Sequence, residues 1–303
     1  YYTLVSGGGA RVFGPRGTAW GDNNSVSVAM LIVIPLAIAW WQILQQRVFK
    51  FAALGGAGLS FLTLLGTHSR GGLVGLAGQA VFLIYRSNKK IPAAIGLVIV
   101  LALGVAFLPD KWRYRMESIT FNVEEMDASS ANRIIQWYYA MDIANERPLF
   151  GSGFNAFFYK PYYYRFVAHL DSNRAIHSNY FEVIGEQGWV GFLWYCLLWL
   201  SFLWSSEKWS KQAMKRQDLI WAGVLLRGLQ IGFAGYAFNG LTVNMAYLDL
   251  PFYLLVFSVL LTSQVKSHVA GASDNEQVDT TGKWRSGASP GLAPATATAR
   301  TAR

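Results

Sequence analysis

Leu108-Pro109-Asp110-Lys111-Trp112-Arg113-Tyr114-Arg115-Met116-Glu117 opens an interval, running to Gly188, that cannot cross a bilayer. Asp110, Lys111, Arg113, Arg115, Glu117, Glu124, Glu125, Asp127, Arg133, Arg147 and Lys160 leave it no sustained apolar run. Apolar segments flank it on both sides. It therefore reads as a polar excursion between membrane spans, and such excursions are where chemistry is expected.

Composition agrees. The chain has 303 residues, of which 53% are hydrophobic and 14% charged. Its mean hydropathy is +0.26, whereas an ordinary soluble domain carries about a quarter of its residues charged. The pattern predicts an all-α polytopic membrane protein: a helical bundle with a large, partly helical loop. The formal net charge of +9 does not point to nucleic acid, because the basic residues fall in short clusters between apolar runs and not on one folded face. The single cysteine, Cys196, lies inside an apolar run and excludes an intrachain disulfide or a Cys-based metal site.

Seven spans of about 18 to 20 apolar residues are expected. The first runs from about residue 25 to 44, after the capping oxygens of Asp22-Asn23-Asn24-Ser25, and contains Pro35, whose missing N–H frees a carbonyl one turn back. The others run approximately over 49–67, 71–86, 91–108, 188–205, 219–239 and 248–265. Gly72, Gly75 and Gly78 in the third allow close helix contact. The chain divides accordingly into an N-terminal segment 1–24, four spans in 25–108, the loop 109–187, three spans in 188–265, and a disordered tail 266–303 rich in Gly, Ala, Thr and Pro. No initiator Met or leader opens the sequence, so a fragment of a longer chain is expected.

The basic clusters set an orientation. Arg47 with Lys50, Arg86 with Lys89 and Lys90, Lys208 to Arg216, and Lys266 all fall on one face. By the positive-inside rule that face is cytoplasmic, which puts 1–24, Ser69-Arg70, the 109–187 loop and the Asn239–Tyr247 turn outside. Trp189, Trp194, Trp199 and Trp204 fit interfacial anchoring.

Three residues stand out for chemistry. Arg70, in Thr67-His68-Ser69-Arg70-Gly71-Gly72, can reach headgroup depth and hold a phosphate bidentately, or it can simply snorkel. Arg133 opens an expected amphipathic helix with Ile134, Trp137, Ala140, Met141 and Ala144 on one face. A cation at a helix start favours an anion partner, while pairing with Glu124, Glu125 or Asp127 stays open. His177, just ahead of the fifth span, is suited to proton transfer or to a structural role, and Glu182 or Glu186 could orient its ring. His68, close to Arg70, is the next candidate base. No pair of histidines has helix-ligand spacing, so no metal is expected.

Asp22-Asn23-Asn24, Ser69-Arg70-Gly71-Gly72, Arg133…Trp137 followed by Arg147-Pro148-Leu149-Phe150-Gly151-Ser152-Gly153, and His177-Ser178-Asn179-Tyr180 with Glu186-Gln187-Gly188-Trp189-Val190-Gly191 together resemble the O-antigen ligase and polymerase superfamily. The opening Gly14-Pro15-Arg16-Gly17 looks most like its branch of O-glycosylation ligases associated with exosortase systems. The resemblance covers nearly all of residues 14–260. It implies a GT-C-type membrane glycosyltransferase with about a dozen spans, so several N-terminal helices would be missing here. It places the protein in a bacterial inner membrane with its active site facing the periplasm. The implied donor is a glycan on undecaprenyl diphosphate, with an acceptor hydroxyl on a protein or a lipid-linked sugar, membrane lipids as surroundings, no cofactor and no nucleic acid. Arg70 and Arg133 would neutralise the leaving diphosphate without a metal and His177 would act on the acceptor. A polymerase that extends carrier-linked polysaccharide, or a non-enzymatic polysaccharide transporter, are the alternatives.

Overall fold

The computed structural model describes residues 10–86, 91, 95, 128–159 and 175–275. All of 109–127, with its acidic cluster, the expected span 91–108 apart from residues 91 and 95, and the tail beyond residue 275 lie outside the described residues. Seven α-helices are described: α1 (Asn23–Ile43), α2 (Arg47–Gly66), α3 (Arg70–Arg86), α4 (Ala128–Glu146), α5 (Asn179–Ala213), α6 (Ile220–Asn239) and α7 (Asp249–Asn275). No strand occurs among the described residues. The protein is an all-α, multi-pass membrane protein: α1, α2, α5, α6 with its short preceding turn, and α7 are long and apolar enough to cross a bilayer. At 17 residues, α3 is about 26 Å long, just under a typical hydrocarbon core.

α6 is the centre of the bundle, packed against α1, α3, α5 and α7. Small residues allow this. Gly228 lies against Ala39 and Pro35, and Gly232 against Ile32 and Pro35, so a Gly-x-x-x-Gly face meets α1 backbone to backbone. The carbonyl that Pro35 frees is that of Leu31, and Gln79 Nε2 from α3 donates to it and to Ile231 O. A kink that would leave a polar group bare in lipid is thereby satisfied by a neighbour. Gly72, Gly75 and Gly78 make the close approach expected of them, against Ser27 and Leu64, Leu31 and Gly235, and Phe238.

The core is aromatic. Trp199 stacks on Phe233 with centroids 4.6 Å apart and meets Phe202 edge-on at 6.1 Å. Val28, Ile32, Leu226, Leu229, Tyr236 and Leu254 close around them. Trp199, expected at an interface, is therefore a core residue, 5% exposed. Trp194 and Trp204 remain exposed as anchors would be.

α5 has 35 residues, about 52 Å of helix against a hydrocarbon core of about 30 Å, so part of it must stand clear of the membrane. Its geometry breaks where the polar loop was expected to give way to a span: Gly188 has φ 68° and ψ −173°. Glu207, 19 residues on and roughly 28 Å away along the axis, marks the opposite end of the bundle. Two boundaries differ from expectation. α7 continues to Asn275, so the first residues of the expected disordered tail are helical. α4 is already helical at Ala128, the first described residue there, so Arg133 lies no earlier than its second turn, where the helix dipole has little hold on it. The buried stripe of α4 is Gln136, Tyr139, Ala140, Ile143 and Ala144, rotated from the expected one because Tyr139 and Ala140 pack on Phe157 and Gly185.

Candidate active site

At the end of the bundle away from Glu207 the helices are tied by neutral polar groups. Ser69 Oγ accepts from Gly72 N at 3.1 Å, capping α3, and donates to Asn24 Oδ1 at 2.7 Å. Ser27 Oγ lies 3.3 Å from it and accepts from Asn239 Nδ2 at 3.1 Å. Asn23 Nδ2 donates to Thr67 O at 2.9 Å. Asn23, Ser27, Thr67, Ser69 and Asn239 are buried, and an unpartnered group there would cost about 1–3 kcal/mol. The network therefore fixes the starts of α1 and α3 and the end of α6 in one register. Arg70, half-buried, is the first residue of α3. His68 beside it is 8% exposed, with a left-handed backbone at φ 52°.

His177 is reached from the other side. Its backbone is also left-handed, φ 53°, and the residues around it, Ile176, Ser178 and Asn179, are each 1% exposed. Among the described residues the only other non-glycine with positive φ is Asn155. Such conformations cost about 1–3 kcal/mol and persist where the surroundings impose them. Asn179 does the imposing: its backbone N donates to Gly240 O at 2.8 Å and its Oδ1 accepts from Met245 N at 2.6 Å. Glu182 Oε2 accepts from Ala246 N at 3.2 Å. The connection between α6 and α7, residues 240–248, is thus fastened to the first turn of α5. The same connection abuts α3, since a Cβ on Gly71 would run into Thr242 Oγ1 and Asn239 Oδ1. Arg70 and His177 stand on two flanks of one short connection.

α4 brings Arg133 to the same region. Trp137 Nε1 donates to Ile176 O at 3.1 Å, and its ring stacks on Phe181 at 5.1 Å. Arg133 is one turn earlier on the stripe that carries Trp137 and is half-buried.

What holds α4 there is a clasp between two glycine-containing turns. Ser152 N donates to Gly185 O at 3.0 Å, Gly153 N to Glu186 O at 2.9 Å, and Trp189 N to Pro148 O at 2.8 Å. Glu186 Oε1 accepts from Asn155 N at 2.8 Å. Gly151, φ 63°, comes so close that an added Cβ would lie 2.5 Å from the Glu186 carbonyl. The Arg147–Gly153 and Glu186–Gly191 motifs are two halves of one joint. Tyr247 completes it: its ring meets Phe154 edge-on at 5.0 Å, and burial first, then the neighbouring Glu186 charge, pushes its phenol up, so it stays a neutral donor.

Of the residues singled out in the sequence, Arg70, Arg133, His177 and His68 are carried by elements that meet at this end. Glu182 and Glu186 each take up a backbone amide, which makes them fasteners of the 240–248 connection and of the clasp. Among the described residues, no three of His, Cys, Asp and Glu gather as metal ligands would. Sequence reasoning did not single out Ser27, Asn239 or the joint. The signal available was a hydroxyl and an amide inside otherwise apolar spans, groups that must find partners across helices.

Arg70 and His177 on segments that flank one connection, with Arg133 on the helix packed on the His177 segment, offer charge for an anion and a site for a proton. Residues 55–196, which include Arg70, Arg133 and His177, match the family model described as O-Antigen ligase. No curated protein matches the chain.

Proposed function

We propose, from the match of residues 55–196 to the O-antigen ligase family model, that the protein is a metal-independent glycosyltransferase of the ligase type that uses a lipid-linked glycan. It moves a glycan from an undecaprenyl-diphosphate carrier to an acceptor hydroxyl, on a protein or a lipid-linked sugar, at the periplasmic face of the inner membrane. The observation that carries this reading is the convergence of the start of α3 and the His177 segment on the 240–248 connection, with α4 packed on the His177 segment through Trp137.

The chemistry follows from the groups. The acceptor oxygen attacks the anomeric carbon in line with the departing diphosphate, inverting it, and the carbon–oxygen bond to the carrier breaks with its electron pair. Arg70 and Arg133 neutralise the charge that grows on the bridging oxygen, an interaction stronger in the transition state than before it. His177, neutral, takes the acceptor proton as the new bond forms. The connection and the Ser69 network keep the arginine from reorganising during the reaction, which is where preorganisation contributes. The Gly14-Pro15-Arg16-Gly17 opening favours the exosortase-associated branch.

The test is to incubate membranes holding the protein with radiolabelled carrier-linked glycan and a candidate acceptor, and to follow the sugar. Label on a new acceptor is expected. A ladder of lengthening carrier-linked products would establish polymerase action instead, and label that only changes sides of the membrane would establish transport.

A further inference from the structure

We propose that a cavity at the Glu207 end of the bundle seats the phosphate headgroup of an anionic membrane phospholipid, a site independent of glycosyl transfer. The cavity, about 1170 Å³, opens between α1, α3, α5 and α6. Its walls, including Phe82, Leu83 and Leu200, are apolar, and Arg86, Glu207, Lys211, Arg227 and Gln230 lie along it. Its volume exceeds the roughly 300–1,000 Å³ that holds a drug-sized ligand, leaving room for a headgroup and the first part of its chains.

Among the described residues the charges do not balance: three cations, Arg86, Lys211 and Arg227, face one carboxylate. Glu207 is already committed, with Arg86 Nη2 at 2.5 Å, Lys211 Nζ at 3.1 Å and Gln230 Nε2 at 3.5 Å. Arg86 also donates to Gln230 Oε1. Arg227 has for its partner a hydroxyl, Ser210 Oγ at 3.3 Å, and stands close enough to Arg86 for the two cations to repel. An arginine about two turns inside a membrane helix, beside a second arginine, asks for an anion. A diester phosphate supplies it, and its chains suit the apolar walls. The depth is right for a headgroup. Lys208 lies 5.3 Å and 5.5 Å over Trp204 and Trp209, and Lys266 lies 5.4 Å over Trp209, the aromatic and basic belt of an interface. Basic pockets between helices on the positive face are where anionic lipids bind.

The experiment titrates the full chain in detergent with dioleoylphosphatidylglycerol or dioleoylphosphatidylcholine and counts bound lipid by native mass spectrometry. The anionic lipid is expected to bind about tenfold more tightly. Arg227→Gln should remove most of that preference. Gln42→Glu, at an exposed residue of the lining, should do the same without disturbing a packed arginine, which keeps the test decisive if Arg227→Gln does not fold. Lys215→Gln, on the exposed surface at the same end of the bundle, should leave the preference intact. Equal affinity for the two lipids overturns the proposal. So does a preference that survives both cavity variants, or one lost equally in Lys215→Gln, which would mean diffuse surface charge. Displacement of the lipid by millimolar inorganic phosphate would assign the site to a free anion and overturn the lipid.

Discussion

The two ends of this bundle are joined by opposite chemistry. At the Ser69 end, α1, α3 and α6 are tied to one another by hydroxyls, amides and backbone carbonyls, and Glu182 fastens the connection that Arg70 and His177 border. At the Glu207 end, the tie is ionic, Arg86 to Glu207 to Lys211, with the glutamine between. α3, α5 and α6 run between the two. A neutral network fixes geometry without placing a counter-charge beside the site's arginine, whereas an ionic one would compete for it. The difference teaches that the start of α3, which carries Arg70, can be held in register by groups that bear no charge.

The sharpest way to break this division is His177→Ala. Transfer should fall by about a hundredfold to ten-thousandfold, the usual worth of a positioned base, while binding of carrier-linked glycan is retained. An imidazole is a base only when neutral, so wild-type activity should rise with pH through its titration. A cationic phosphate ligand would give the falling limb. Measuring donor binding and transfer separately in the variant decides the role. If binding collapses, or transfer survives with its rising limb, His68 is the candidate to examine next.

Arg70→Lys comes second, with turnover expected to drop by about ten- to a hundredfold and nearly as far as in Arg70→Ala. A planar fork neutralises two oxygens where an ammonium is a point charge. Single-turnover kinetics with saturating donor would show the loss in the chemical step. Full activity in the lysine variant would leave Arg70 as an interfacial residue and nothing more.

Much of this was legible in the sequence, and for identifiable reasons. Apolar run length gives the five membrane-crossing helices α1, α2, α5, α6 and α7, Pro35 gives a carbonyl that needs a donor, and Gly72, Gly75 and Gly78 give a close packing face. Glycine at 188 marks where α5 breaks. The rest depended on contacts far apart in sequence. Nothing local tells that Gln79 serves Leu31, or that Ser27 meets Asn239 212 residues away. Trp199 misled because a tryptophan near a span end fits a membrane belt as well as a core, and only packing on Phe233 decides. The stripe of α4 was off because Tyr139, polar at its tip, turns its ring inward against Phe157.

The clasp permits a graded test of how α4 is held. Gly151→Ala meets both a positive φ and the Glu186 carbonyl, and should cost about 1–3 kcal/mol of stability with a parallel loss of transfer. Gly153→Ala shares the positive φ, 86°, but has open space where the Cβ would go, so it should cost only the backbone strain, about 1 kcal/mol. Thermal unfolding of the two variants in the same detergent compares them. Equal losses would mean that close approach at Gly151 contributes nothing to holding Arg133 in place.

The smallest effect tests the division between the two ends most directly, by salt. Ser27→Ala removes the acceptor of Asn239 Nδ2 and a neighbour of Ser69 Oγ. Interhelical hydrogen bonds of this kind contribute about 0.6 kcal/mol on average in a membrane and up to about 1.7. The loss should be the same at about 0.05 M and about 1 M salt, since no net charge is involved. Glu207→Gln removes the carboxylate shared by Arg86 and Lys211, side chains respectively 17% and 66% exposed, so solvent ions reach the pair. Its cost should be about 1 kcal/mol at low salt and shrink at about 1 M, where the screening length falls to about 3 Å. Unfolding midpoints of both variants against wild type at the two salt concentrations give the answer. If the Ser27 deficit also fades with salt, the Ser69 end is electrostatically coupled to Arg70 after all, and the neutral network is part of how the arginine's charge is held.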